Sequence, residues 1–207
     1  MYYEKKNGFE IRAFYDPERD ELINTVKFRR KVLPTKVLND KISQSYVGYR
    51  LIKSDLESVL EWAKVSVTIL EKKSKSESDK RVLHSLFVSM VTMYWKCFAD
   101  TKGRHRMKLN PKWIDDKHRH IHEHLKNIRH NFAAHSGSDP FESGYLLYFS
   151  DFDGRARFNP GIIPIYRKAG HADNELTNNI ILLVTSIVDK IDAKLVSLME
   201  KIKESVV

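Results

Sequence analysis

The sequence predicts an all-α fold, an antiparallel helical bundle of four main helices with a small β-hairpin inserted before the last helix. Three observations predict it. Apolar residues recur at spacings of three and four through long segments, the connections between those segments are short and polar, and one region alternates turn residues with short β-rich runs. At 207 residues the chain is long enough for one domain with a substantial core. No repeat, low-complexity tract or linker divides it. The expected organisation is a single helical domain, 1–207, with 1–35 as an N-terminal extension and 141–168 as the hairpin insertion.

The opening residues mix aromatic and charged side chains, and Asp16-Pro17 is read as the start of a short helix holding Leu22, Val26 and Phe28-Arg29-Arg30. A long helix follows, because Leu38, Ile42, Tyr46, Tyr49, Ile52, Leu56, Val59, Ala63, Val67 and Leu70 keep helical spacing, with a bend expected at Gly48. The charged, serine-rich stretch from Glu71 to Ser78 is a turn. Ser78 or Ser76 then caps a second helix that turns Val82, Leu86, Met90, Tyr94 and Cys97 or Phe98 inward.

The third helix is expected to start at Asn110, with Pro111 at its first position, and to stop at Gly137. Ile114, His118, Ile121, Leu125, Ile128, Phe132 and His135 form its inward stripe, and a helix from 111 to 136 would be about 39 Å long. Beyond it, Tyr145-Leu146-Leu147-Tyr148-Phe149 and Ile162-Ile163-Pro164-Ile165-Tyr166 read as strands separated by Asp153-Gly154 and Pro160-Gly161. A final helix from Asn174 buries Leu176, Ile180, Leu183, Ile187, Ile191, Leu195, Leu198 and Ile202.

The single cysteine, Cys97, excludes an internal disulfide and is read as core packing in a reducing interior. The first residues lack the apolar stretch of a signal peptide. The longest apolar run, Ile180 to Val184, is too short to cross a bilayer. These features point to a cytoplasmic protein with no membrane partner.

The formal net charge is +9, and its placement narrows the choice of partner. Residues 101–130 hold nine Lys or Arg (Lys102, Arg104, Arg106, Lys108, Lys112, Lys117, Arg119, Lys126, Arg129) against Asp115, Asp116 and Glu123, a net of +6. Such a stripe suits a polyanion, because each neutralised phosphate releases counterions. The plainer alternative is a solvated basic face that keeps the protein soluble. As RNA-binding residues the sequence nominates Lys126, His122 and Arg119 on the helix, Lys102, Arg104 and Arg106 in the loop before it, and Arg155 and Arg157 in the hairpin. Tyr145, Tyr148, Phe149 and Phe158 could stack bases, although alternating strand aromatics are more often packing residues.

Seven of the nine histidines lie between 105 and 135. His118 with His122, and His120 with His124, are four residues apart, a spacing by which two imidazoles share a metal, and Glu123 could add a ligand. No HExxH pattern or cysteine set completes such a site, so no metal and no cofactor are expected. His118 is read as a buried, hydrogen-bonded histidine, and His120, His122 and His124 as lining the basic surface.

Arg129 and His135, at the end of the third helix, carry the chemistry of RNA cleavage. An imidazole can move a proton to or from a ribose 2′-hydroxyl, and a guanidinium can hold the charge that builds on the phosphate. On a regular helix the two lie about 120° apart around the axis and about 9 Å along it, so they can flank one groove. Asn131, one turn before His135, could hold a ring nitrogen, and the helix C-terminus favours the imidazolium. An ordinary surface arginine and a satisfied terminal histidine would give the same spacing.

The segment Ile128-Arg129-His130-Asn131-Phe132-Ala133-Ala134-His135-Ser136-Gly137 resembles the catalytic motif of the HEPN superfamily, the higher eukaryotes and prokaryotes nucleotide-binding domains: an arginine, a polar residue, a few further residues and a histidine. It also looks like the prokaryotic members from abortive-infection and toxin systems, whose fold is an α-helical bundle. Many of these are metal-independent endoribonucleases, often dimers that bring two motifs into one cleft. The resemblance implies Arg129 and His135 as the catalytic pair, with His130 or Asn131 as the supporting polar residue. Family members often carry Asn or Asp directly after the arginine, where this chain has His130. Other members keep the fold and bind nucleotides without cutting.

The expected function is a HEPN-type endoribonuclease, a homodimer that cuts single-stranded RNA through its own 2′-hydroxyl to leave a 2′,3′-cyclic phosphate. A toxin or phage-defence role, with an antitoxin protein as partner, is what the resemblance implies. The competing class is a non-catalytic nucleic-acid- or nucleotide-binding helical domain.

Overall fold

In a computed structural model, residues 2–130, 142–150, 161–168 and 171–206 are described. The fold is mixed α and β, not all-α: 59% is helical and 19% strand, and the chain opens with a four-stranded antiparallel sheet. Two compact units, Met1–Asp40 and Lys41–Val207, divide it.

The first unit is a meander of β1 (Tyr2–Lys6), β2 (Phe9–Asp16), β3 (Glu21–Phe28) and β4 (Lys31–Leu33), each strand paired with the next. No helix starts at Asp16-Pro17. Those residues open a turn that ends at Asp20, whose φ of 51° is left-handed. Asn7 (φ 51°) and Gly8 (φ 82°) make the two-residue connection of β1 to β2, the turn whose twist matches that of the strands. Arg29 and Arg30 repeat that geometry between β3 and β4 with φ of 46° and 71°. Pairing of Phe9 with Phe28, Ile11 with Val26 and Tyr15 with Leu22 gathers apolar side chains on one face, and the Phe9 and Phe28 rings lie 4.7 Å apart.

The second unit is built on α1 (Lys41–Leu70), α2 (Glu77–Lys96), α3 (Arg119–Ile128) and α4 (Asn174–Val206). Antiparallel pairing of α1 with α2 follows from their short connection and from the ion pairs Lys72–Asp79 (2.6 Å) and Asp55–Lys96 (3.3 Å) at its two ends. Ser76 caps α2 in a reciprocal box with Asp79. Lys53 meets Asp192 of α4 at 2.5 Å, while Tyr46 and Arg50 lie beside Met199 and Lys203, so α1 and α4 also run in opposite directions. Ile52, Leu56, Val59 and Ala63 pack with Leu183, Val184, Ile187 and Ile191 in one core, to which α2 adds Phe87, Met90, Val91 and Tyr94.

The buried stripe of α2 begins at Leu83 and Phe87, not at Val82 and Leu86, and Val82 is exposed. The third helix is shorter than its apolar spacing suggests. Asn110 does cap a turn, accepting from the Lys112 N–H at 2.9 Å, but Pro111–Trp113 and Asp116–His118 are separate 3₁₀ turns. Asp115 interrupts the run because its carboxylate faces α4, taking bonds from Ser186 (2.6 Å) and Lys190 (2.5 Å). Regular helix starts only at Arg119, so the 39 Å rod is not formed. Between α3 and α4, β5 (Glu142–Phe149) and β6 (Gly161–Lys168) pair antiparallel, with Tyr145 opposite Ile165 and Leu147 opposite Ile163.

Gly48 lies within the unbroken helix α1, where it leaves room for a neighbouring loop. A Cβ there would sit 2.8 Å from the Arg104 carbonyl oxygen and collide with the Met107 side chain. The 103–107 loop therefore lies directly on α1. Arg104, His105 and Arg106 all have left-handed φ, of 51°, 50° and 61°, which non-glycine residues adopt at a cost of about 1–2 kcal/mol each. What holds them is Arg104, only 8% exposed, whose guanidinium bonds the Asp55 carboxylate and the Lys96 carbonyl, the latter at 3.2 Å. Cys97 is fully buried beneath this loop's anchor to α2, and burial pushes its thiol up to about 12.

Removing the Asp55 carboxylate leaves Arg104 buried and unpaired. Asp55→Ala is expected to cost about 3 kcal/mol in urea unfolding. Cys97 is expected to resist iodoacetamide in the native protein and to react once on denaturation, read by mass spectrometry.

Candidate nucleic-acid interface

Ten residues make α3, and two sides of it differ sharply in chemistry. Ile121, His122, Leu125 and Ile128 are buried against α2 and α4, whereas Arg119, His120, Glu123, His124 and Asn127 are exposed. The outer side is basic but partly neutralised. Arg119 pairs with Asp116 at 2.7 Å and Lys126 with Glu123 at 3.2 Å. Exposed pairs of this kind contribute little to stability and can be traded for a phosphate. Arg129 closes the helix as its C-cap, partly exposed, and has no ion-pair partner among the described residues; His130 follows it in the open. Asn131 and His135 lie outside the described residues, as do Arg155 and Arg157.

The other nominated residues separate. Lys102 and Arg106 are exposed in the loop after α2, while the guanidinium of Arg104 is committed to Asp55. His118 and His122 exchange their expected places. His118 precedes the helix at φ −106°, ψ 0° and is half-buried, whereas His122 is only 3% exposed. The cause is the late start of α3, which sets the inward stripe at 121, 122, 125 and 128 and leaves 118 outside the helical register.

His122 is the centre of a polar and aromatic nest that no spacing rule singled out. Its Nδ1 lies 2.6 Å from the Tyr94 hydroxyl, and its ring sits 4.9 Å from Trp95 and 5.0 Å from Phe98. Burial pushes the Tyr94 phenol far above its ordinary pKa, so the hydroxyl keeps its proton. The buried hydroxyl has no other acceptor among the described residues, so the assignment that satisfies its proton has it donate to Nδ1, which places the imidazole proton on Nε2. Desolvation holds the pKa of His122 below the ordinary histidine value, with Glu123 opposing and Lys126 and Arg119 assisting. The ring is therefore neutral, an N–H donor of fixed direction.

Nε2 has no hydrogen-bond partner among the described residues, and His122 lines a cleft of about 390 Å³. Trp95, Phe98, Leu109 and Pro111 give the cleft apolar walls, and Lys108 and Lys126 stand at its rim with side chains 47% and 45% exposed. Beside it, Trp95 Nε1 is buried with no acceptor among the described residues, at a cost of about 1–3 kcal/mol. The loop that forms one wall is tied down by the Leu109 N–H donating to the Cys97 carbonyl at 2.8 Å. A second cleft, between α3 and the start of α4, holds His120, His124, Asp173 and Glu175, but Asp173 caps α4 through the Leu176 N–H at 2.7 Å. Among the described residues no group of three or more His, Cys, Asp or Glu is placed to hold a metal. Nor is any described helix long and apolar enough to cross a membrane.

Comparison with protein-family models, with curated proteins and with solved structures gave no match to this chain.

The lowered pKa of His122 has a consequence for stability. The folded state resists protonating this ring while the unfolded chain takes the proton near pH 6.5, so stability is full above that value and falls on acidification below it. His118 and His171, also lowered chiefly by desolvation, act in the same direction. The melting temperature is expected to drop between pH 7.5 and 5.5, with a shallower drop in His122→Gln.

Proposed function

We propose that this chain is a HEPN-type endoribonuclease that cuts single-stranded RNA without a metal. The observation that carries the reading is Arg129, partly exposed and without an ion-pair partner among the described residues, at the end of a basic helix and six positions before His135 in the motif. Arg129 holds the phosphate as charge builds on its oxygens. His135 takes the proton of the ribose 2′-hydroxyl as that oxygen attacks phosphorus, the bond to the 5′-oxygen breaks, and an imidazolium returns a proton to the departing oxygen. The products are a 2′,3′-cyclic phosphate and a 5′-hydroxyl. Lys126 and Arg119 hold flanking phosphates after releasing Glu123 and Asp116, and Lys102 and Arg106 extend the basic surface.

Two copies of the chain bring two motifs to one cleft, the protein works in the cytoplasm, and its role is that of a toxin or phage-defence effector held in check by an antitoxin protein. These parts of the reading rest on the family resemblance. A second reading, a nucleic-acid-binding domain that does not cut, is favoured by the neutral, buried state of His122 and the aromatic cleft beside it, which suit binding more than proton transfer.

Incubation with end-labelled single-stranded RNA in EDTA separates the two. Cleavage by the wild type that falls at least about a hundredfold in both Arg129→Ala and His135→Ala is the expected result. Wild-type binding without any cleavage overturns the enzyme and leaves the binding domain.

A further inference from the structure

We infer that the cleft at the junction of α2 and α3 is a subsite for one unstacked nucleotide, its base held between Trp95, Phe98 and the Nε2–H of His122 and its phosphate by Lys108 and Lys126. The inference deepens the RNA-binding reading and rests on it, but it does not require that Arg129 and His135 cut anything.

Four properties of the cleft select this ligand. Its volume of about 390 Å³ is of the size that takes a small organic molecule. Its walls are aromatic and apolar, which favours a flat ring over a sugar or a peptide amide. One wall residue, His122, is 97% sequestered from water, and the Nε2–H left by its bond to Tyr94 has no acceptor among the described residues; base carbonyls and ring nitrogens are acceptors of the right kind. The rim carries two lysines whose present partners, Asp100 at 2.6 Å and Glu123 at 3.2 Å, are exposed to solvent and readily exchanged. A flat acceptor-bearing ring joined to an anion is a nucleotide.

Tyr94 completes the device as a positioning residue. By donating to Nδ1 it keeps the imidazole proton on the cleft side, so the site offers a donor and never an acceptor at neutral pH. Selection follows from shape: a base in a duplex is stacked and paired and cannot enter, whereas a base in a single strand can.

The test uses the full chain and a short single-stranded RNA with methylated 2′-hydroxyls, which the 2′-hydroxyl chemistry cannot cut, followed by fluorescence anisotropy. Wild type is expected to bind it on the order of tenfold or more tightly than the same sequence as duplex. His122→Gln is expected to lose on the order of tenfold in affinity. Lys108→Glu with Lys126→Glu, which changes side chains about half open to solvent, is expected to lose more and to lower the salt slope by about 0.7, the value for one phosphate of a single strand. Tyr94→Phe, which frees the tautomer, should weaken binding without changing the salt slope. Two further arms, AMP and UMP alone, assign the source. Weak binding that His122→Gln abolishes, with the strand much tighter, is expected; mononucleotide binding as tight as the strand reassigns the cleft to free nucleotides.

Equal affinity for strand and duplex, or wild-type affinity in both His122→Gln and the double lysine variant, overturns the proposal. The charge-reversed pair keeps the test decisive if His122→Gln fails to fold. Because the probe cannot be cut, cleavage lost in the Arg129 and His135 variants does not bear on this site, and failure here leaves the cleavage reading intact.

Discussion

A helix of ten residues does not hold itself together in water, and the arrangement of the second unit depends on how α3 is pinned. Three buried aliphatic side chains give it adhesion, but they leave its rotation and depth loosely set. The hydrogen bond between the Tyr94 hydroxyl and His122 Nδ1 sets both, because a buried polar pair satisfies its partners in one geometry only. Trp95 and Phe98 close around the same imidazole, so the joint of α2 with α3 is polar at its centre and aromatic at its edge. Through that joint the outer side of α3, and with it Arg129, takes its direction.

Formal charge overstates what a ligand meets. Of the basic residues between 101 and 130, Arg104 is consumed inside the protein, where it compensates three left-handed residues, and Arg119, Lys108 and Lys126 each rest against a carboxylate. The loose pairs and the buried one differ in kind. An exposed pair is a reservoir of cations that a polyanion can recruit by displacing an acid, while a buried pair recruited in that way would unfold its loop. Lys102, Arg106, Lys112, Lys117 and Arg129 are the cations of this segment that neither arrangement holds among the described residues.

The long helices were legible because their cores are periodic, as Ile52, Leu56, Val59 and Ala63 and again Ile180, Leu183, Ile187 and Ile191 demonstrate. The N-terminal sheet carried its own signal in Asn7-Gly8, the dipeptide that suits a tight hairpin, followed by alternation in Phe9-Glu10-Ile11-Arg12. The aromatic and charged mixture obscured that alternation because apolar residues occupy both faces. The failure at the third helix has a different origin. Ile114 and His118 do keep the spacing of a stripe, but spacing cannot reveal that Asp115 prefers Lys190 and Ser186 on another helix to a place in a continuous rod. Once regular helix starts at Arg119 the inward positions shift, and His122 goes in while His118 stays half out. The cleft was illegible for the same reason, since it needs residues from α2, from the loop at 108–111 and from α3 to meet, and no local pattern links Trp95 to Lys126.

Gly48 ties a single missing methyl group to the ligand-sized cleft some way along the chain. The 103–107 loop rests on α1 because nothing projects from that position, and the same loop runs on into Lys108, Leu109 and Asn110, which wall the cleft. Any side chain at 48 would lift the backbone at Arg104, strain its grip on Asp55 and tilt the wall that follows. The width of the opening is thus set from a helix that contributes no residue to it, and drift at that remote position would reshape the cleft while every residue lining it stayed the same.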